Sequence, residues 1–354
     1  MAEPKGGGMS KRILVTGGAG FVGCNLANNL LTDGSDVTIF DALVRAGSQE
    51  NLAWLRQRSN RLHFVRGDVR DIEAIKEVVA DVDVIYHLAG QVAVTSSVSD
   101  PRSDFETNAL GTLNVLEAVR ESGRQPIIVF TSTNKVYGGM EGVPVVEGHS
   151  SYSFTEYPHG ISEAQPLDFH SPYGCSKGAA DQYVRDYGRI YDLPTVVFRM
   201  SCIYGPRQFG TEDQGWVAHF IISMLTERSI TIYGNGKQVR DLLFVDDLVR
   251  AFRLAVDRID RAAGEVFNIG GGPSNSTSVW EFGQLVADLS GRDISVNFGD
   301  WRPGDQPCYI SDIRKASQLL EWRPLIDKEA GVRRLWEWAS SNLDTLERAQ
   351  VIRC

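Results

Sequence analysis

Short apolar runs alternate, along the first two thirds of the chain, with stretches whose apolar residues recur at helical spacing. Arg12-Ile-Leu-Val-Thr16 is the first run, and it predicts a buried parallel strand. Val37–Phe40, His63–Arg66, Asp83–Leu88, Pro126–Phe130 and Pro194–Arg199 repeat the pattern. Helical spacing marks Asn25–Leu31, closed by Asp33-Gly34, then Leu110–Val119 and Tyr173–Ile190. Strands alternating with helices predict βαβ units and an α/β fold, a Rossmann-like doubly wound parallel sheet covered on both faces. The pattern changes after Gly205-Pro206. Residues 206–235 are richer in polar and aromatic side chains, and 275–354 form a mixed helical tail with five of the seven tryptophans. The expected organisation is a disordered leader at 1–10 and a sheet domain at 11–205, to which 240–270 returns. A smaller C-terminal substrate domain is expected from 206–239 and 271–354.

Charge and cysteine content narrow the function classes. The 354 residues carry 36 basic and 45 acidic side chains, a net charge of −9, with no long basic run. Binding of nucleic acid or an anionic membrane through bulk charge is excluded, so any anion must be held by local devices. The five cysteines, at 24, 175, 202, 308 and 354, form no CxxC pair and read as reduced thiols of a cytoplasmic protein. No apolar stretch reaches about 18 residues. Residues 1–10 lack the apolar core of a signal peptide, and Val-Ile-Arg-Cys354 places its cysteine too late for a prenylation box. No His/Cys/Asp cluster has metal-ligand spacing, so no metal is expected.

The chemistry-bearing residues begin after the first strand. Gly17, Gly20 and Gly23 have the spacing GxxGxxG between a strand and a helix. The first permits a tight turn, the second lets backbone N–H groups approach a pyrophosphate at the helix N-terminus, and the third permits close helix–strand packing. Asp41 closes the next strand, where a carboxylate accepts the ribose hydroxyls and repels a 2′-phosphate, so NAD is expected rather than NADP. Asp68 suits an adenine contact. Phe21, Val22, Val69, Leu88, Ala89 and Asn108 complete the expected cofactor surface. Further on, Tyr173-Gly-Cys-Ser-Lys177 puts a tyrosine and a lysine on one helical face. An ammonium beside a phenol, with a positive nicotinamide nearby, stabilises the phenolate and makes it a base near neutral pH. Thr133, at the end of a strand, offers a hydroxyl to the same substrate oxygen. His87 reads as a packed sheet histidine.

Together the glycine loop, Asn108 in Asn-Ala-Leu-Gly-Thr, the Thr133 segment, Tyr173/Lys177 and Tyr204-Gly-Pro-Arg207 resemble the extended short-chain dehydrogenase/reductase superfamily, over roughly residues 11–340. The resemblance implies a nucleotide-sugar epimerase or dehydratase, with Thr133, Tyr173 and Lys177 as its catalytic trio. It implies that the segments Gly234–Asp247 and Arg302–Asp305 hold the nucleotide half of a sugar donor. It also implies a homodimer or homotetramer, because the superfamily often dimerises through helices including the one that bears the tyrosine. In the 4,6-dehydratases an Asp-Glu pair follows the catalytic hydroxyl; here those positions are Asn134 and Lys135. Leu167–Tyr183, Thr131–Gly138, Arg207–Phe209 and Asp213–Trp216 are similar to the CDP-paratose 2-epimerase (CDP-tyvelose epimerase) subfamily. Met200 departs from that subfamily, which carries histidine there.

The expected substrate contacts are Thr133, Asn134, Met200, Ser201, Arg207, Gln208, Gln214, Arg240, Arg302 and Asp305, with the arginines suited to a diphosphate. The resemblance implies inversion at C2 of a CDP-linked deoxyhexose, CDP-paratose to CDP-tyvelose, through a transient 2-keto sugar. A 4-epimerase, a 2-epimerase for another sugar nucleotide and a non-catalytic NAD-binding scaffold stand as alternatives.

Overall fold

The computed structural model describes residues 11–291, 295–302 and 304–351. The leader expected at 1–10 and Cys354 lie outside the described residues. Seven parallel strands form the central sheet: β1 (Arg12–Thr16), β2 (Asp36–Asp41), β3 (Leu62–Arg66), β4 (Val84–His87), β5 (Ile127–Thr133), β8 (Thr195–Met200) and β12 (Val266–Ile269), in the order β12-β8-β5-β4-β1-β2-β3. β6 (Val145–Glu147) and β7 (Tyr152–Phe154) make a small antiparallel pair between β5 and β8. The inner strands β4, β5 and β8 are buried almost throughout, as expected of a sheet covered on both faces.

The covering helices are α1 (Phe21–Thr32), α2 (Ser48–Arg56), α3 (Ile72–Val79), α4 (Val94–Ser99), α5 (Pro101–Phe105), α6 (Gly111–Ser122) and α7 (Ser171–Tyr191). Between α5 and α6, residues Glu106–Leu110 form a π-helical turn, so one helix runs on through a local widening. Such widenings recur at functional sites. In α7 the buried residues Tyr173, Ser176, Lys177, Ala180, Asp181, Val184 and Tyr187 follow a 3.6-residue period. The Tyr-Lys pair therefore lies on the buried stripe that packs against the sheet.

The remaining elements build a second, smaller layer. β9 (Cys202–Tyr204) pairs with β11 (Val239–Phe244), which also pairs with β13 (Ser276–Ser278) and β15 (Cys308–Tyr309). α8 (Trp216–Leu225) lies in the segment read as richer in polar and aromatic side chains, and its residues Val217, Phe220, Ile221 and Ile222 are buried. β10 (Ile230–Tyr233) pairs with β14 (Val296–Gly299). α9 (Val245–Asp257), α10 (Ile259–Ala262), α11 (Val279–Ser290), α12 (Arg314–Leu320), α13 (Lys328–Ser340) and α14 (Leu343–Val351) complete the chain. The chain passes to the second layer at Cys202, three residues before the expected boundary. β11 lies in that layer, so the return to the central sheet starts at α9 rather than at residue 240. One apolar cluster runs from Val15 and Phe198 of the sheet to Phe282 and Leu335 of the second layer, tying the two together.

Candidate active site

Parallel strands in an open sheet place their following loops along one edge, which is where ligands bind. Gly17 follows β1, Asp41 ends β2, Asp68 follows β3, Leu88 and Ala89 follow β4, Thr133 ends β5 and Met200 ends β8. Most of the residues singled out in the sequence thus share one edge.

The cofactor side is shaped by main chain. Gly17 has φ +68°, and a Cβ there would stand 2.7 Å from the Ala89 nitrogen; at Gly23 a Cβ would stand 2.3 Å from the Gly17 oxygen. No side chain fits at either place, so the loop lies flat against β4 and α1. Gly20 is the N-cap of α1 and no side chain caps the helix, so Phe21 and Val22 open it at a bare positive end. The Asp41 carboxylate accepts hydrogen bonds from the Ala19 and Leu43 N–H groups at 3.0 and 2.8 Å, and burial pushes its pKa up. This cradle, with a carboxylate at the next strand end, fits a dinucleotide. Asp68 follows β3 on the same edge, and the Arg70 guanidinium donates to both its oxygens, at 3.0 and 2.6 Å, and lowers its pKa. Val69 is buried beneath it, its carbonyl accepting from Asn114. His87 is a buried sheet residue between the Thr16 and Thr112 hydroxyls, and burial pushes its pKa down to about 3.

At the centre, Thr133 acts on the Tyr173 phenol and favours its ionisation, and its Oγ1 accepts from the Lys135 N–H. Burial raises Tyr173 to about 12, against the lowering by Thr133 and by the Arg45 charge. The expected depression by Lys177 is not what the geometry gives. The Lys177 ammonium donates to the Thr131 carbonyl at 2.6 Å and sits over the Phe130 ring, and burial lowers it to about 8. Asn108 lies in the π-helical turn; its Oδ1 accepts from the Gln91 N–H at 2.8 Å.

On the substrate side, Met200 is the register neighbour of Thr133. Ser201 donates to Asp241. Asn134 donates to Gln306 Oε1 at 3.0 Å, and Gln306 donates to the Gly138 carbonyl. Several residues expected to meet substrate also bond within the protein. Arg240 donates to the carbonyls of Val239 and Gln306 and to Asp305, which Lys135 also reaches at 3.4 Å. Arg302 stacks on Tyr233, 4.0 Å from the ring centre, and donates to the Glu212 carbonyl. Arg207, left-handed at φ +70°, stacks on Trp54 of α2, 4.3 Å from the ring centre. Gln208 is buried, its Nε2 donating to the Ile203 carbonyl and its Oε1 without a partner. Gln214 accepts from Arg45 at 2.6 Å. Several of these partners, such as Arg45 for Gln214 and Asp305 for Arg240, are brought near only by the fold.

Four residues of this edge carry no sequence signal strong enough to have been chosen: Arg45, Asp104, Ser176 and Gln306. Asp104 offered a faint one, its i, i+4 spacing to Asn108. Among the described residues no three His, Cys, Asp or Glu side chains gather as metal ligands, and no helix is long and apolar enough to cross a membrane.

Residues 13–270 match the NAD dependent epimerase/dehydratase family. The chain is 43% identical over 337 residues to the CDP-paratose 2-epimerase of Salmonella typhi, covering 93% of this chain and 99% of that protein. Among solved structures it is similar to a UDP-glucose 4-epimerase with UDP-glucose from Thermotoga maritima: TM-score 0.81, 32% identity, 94% of this chain and 99% of that one. It is equally similar to a UDP-glucuronic acid 4-epimerase from Bacillus cereus in complex with UDP-glucuronic acid and NAD: TM-score 0.81, 28% identity, 93% and 99%. The glycine cradle, the strand-end carboxylate, the Tyr-Lys helix and these likenesses agree: the chain is an NAD-dependent enzyme and belongs to the NAD dependent epimerase/dehydratase family.

Proposed function

We propose that this enzyme inverts C2 of a CDP-linked deoxyhexose, interconverting CDP-paratose and CDP-tyvelose. The observation that carries the reading is the 43% identity to a CDP-paratose 2-epimerase over nearly the whole of both chains. The site supports it from the side of mechanism. Elimination of water needs an acid and a base after Thr133, but Asn134 and Lys135 stand there, both engaged by the 304–306 loop. What remains is a phenol and a threonine hydroxyl that favours its ionisation, the parts needed to move one proton on and off a sugar hydroxyl.

Gly17, Gly20, Phe21, Val22, Gly23, Asp41 and Ala89 would hold NAD, and the chemistry it supplies when bound is reversible acceptance of a hydride from the sugar carbon. The chain's own residues do the rest. Tyr173 as phenolate takes the proton of the C2 hydroxyl, Thr133 holds the oxygen, and Lys177 supplies the buried positive charge. The sugar turns its other face as a 2-keto species, and Tyr173 returns the proton. Asn134, Lys135 and Arg240 hold the 304–306 loop that would grip the nucleotide.

A second reading, 4-epimerisation of another nucleotide sugar, is favoured by the likeness to the UDP-glucose 4-epimerase structure. One experiment separates them: proton NMR of CDP-paratose with the purified protein and no added NAD. Growth of the C2-inverted anomeric signal to a fixed ratio is the expected result. An unchanged spectrum alongside conversion of a UDP-sugar would replace the first reading by the second. A non-catalytic NAD-binding scaffold would convert neither.

The assembly reading is a homodimer in the cytoplasm. Phe105 of α5 and Tyr183 and Ile190 of α7 leave large apolar side chains exposed on helices that pack together. Sedimentation at the dimer mass, reduced to the monomer by Ile190→Glu, is the expected outcome; a monomeric wild type would contradict it.

A further inference from the structure

Asp104 is a carboxylate that the mechanism above does not use, and it is 1% exposed. Burying a charge is costly unless partners hold it. Its partners are specific. The Ser176 hydroxyl donates to Asp104 Oδ2 at 2.5 Å. The Asn108 amide donates to Asp104 Oδ1 at 3.1 Å and to the Ser176 hydroxyl at 3.0 Å. The three side chains close a ring that joins α5, the π-helical turn and α7. With its Nδ2 committed to this ring, Asn108 must point Oδ1 the other way, to the Gln91 N–H after β4. Ser176 stands between Tyr173 and Lys177 in sequence, so the ring grips α7 where both functional side chains leave it.

We propose that Asp104 is a positioning residue of the active site: its carboxylate fixes Asn108 and α7 through this ring and serves as the buried counter-charge of Lys177. The proposal rests on the reading of Tyr173 and Lys177 given above. The groups facing Lys177 can be named. β5 presents the Thr131 carbonyl and the Phe130 ring, β4 presents neutral His87, α7 itself presents Asp181, and α5 presents Asp104. Tyr173 faces Thr133, Arg45 and Asp104, and α4 offers it the Ser97 hydroxyl, which accepts from its N–H. Among the described residues, Asp181 and Asp104 are the charges that act to keep Lys177 protonated against its burial, beside the Thr131 carbonyl that accepts from it. Asp104 also opposes ionisation of Tyr173. Its charge therefore favours the order in which the lysine is protonated before the tyrosine gives up its proton to a cofactor-loaded site.

The test titrates Lys177 directly and needs no substrate. The NAD-containing protein is labelled with 13C-lysine, and the Lys177 signal is identified by its loss in Lys177→Arg. Its NMR titration midpoint is compared between wild type and Asp104→Asn, with Asp104→Ser as a second neutral variant that leaves room for water. The expected result is a midpoint about one pH unit lower in either variant, a roughly tenfold loss of proton affinity. A purely structural role would weaken the fold and leave that midpoint in place, and an unmoved midpoint in a folded variant overturns the proposal. Tyr173→Phe, assayed for turnover beside them, keeps the two ideas apart. Normal turnover in that variant removes the base and leaves the Asp104 measurement standing.

Discussion

The two sides of the site are built by different means. On the cofactor side the contacts are made by backbone: Gly17 and Gly23 leave no room for a side chain, α1 begins uncapped, and Asp41 is held by two N–H groups. On the substrate side they are made by side chains that first satisfy one another: Arg240 with Asp305, Lys135 with Gly304 and Asp305, Asn134 with Gln306. The first arrangement tolerates no added atom and draws on main-chain groups rather than on side-chain pairs. The second is a lattice of long-range pairs whose members can be exchanged, which is how one cofactor fold can serve different sugar nucleotides.

The strongest way to break this comparison is Gly23→Val. Its Cβ alone would stand 2.3 Å from the Gly17 oxygen, so the cradle must open. The purified variant is expected to carry less than about a tenth of the wild-type NAD content, read by absorbance after denaturation, with activity falling in step. Wild-type NAD content would mean that backbone fit is not what holds the cofactor. Arg240→Gln probes the other side. It keeps a hydrogen bond to Asp305 while removing the charge. KM for the sugar nucleotide is expected to rise about tenfold to a hundredfold, with a smaller change in kcat and no loss of NAD. A fall confined to kcat would place Arg240 at the reacting carbon instead.

The smallest effect sharpens the account of the sheet beneath. His87 is neutral in the fold, its pKa held at about 3 by burial. The unfolded chain binds that proton near pH 6.5, so between the two values the unfolded state holds more protons and stability falls as pH falls. Between pH 6.5 and 5 the wild type is expected to lose about 1.5 kcal/mol more than His87→Gln in urea unfolding. Parallel curves would show that His87 is not buried neutral.

The same contrast explains what the sequence made legible. The central sheet, the Tyr-Lys helix and the strand-end positions of Gly17, Asp41, Thr133 and Met200 follow from local periodicity and spacing, and the structure has them there. The partners of Arg207, Gln214 and Asp104 do not follow, because Trp54, Arg45 and Ser176 are far away in sequence and come near only after folding. The partner of Asp68 is local: Arg70, two residues on, reaches both its oxygens. The burial of α8 has yet another cause. Its Trp216-Val-Ala-His-Phe-Ile-Ile run is apolar on several faces and lies under α13, which no short window reveals.

The central claim is that the C2 hydrogen leaves the sugar as hydride and comes back to the same carbon, while Tyr173 handles only the hydroxyl proton. Running the conversion of CDP-paratose to equilibrium in D2O and examining C2 of the product by NMR and mass tests this most directly. The account requires CDP-tyvelose that keeps its protium at C2, formed without added NAD. Deuterium at C2 would mean that the hydrogen was lost to solvent as a proton, and the hydride account would be wrong.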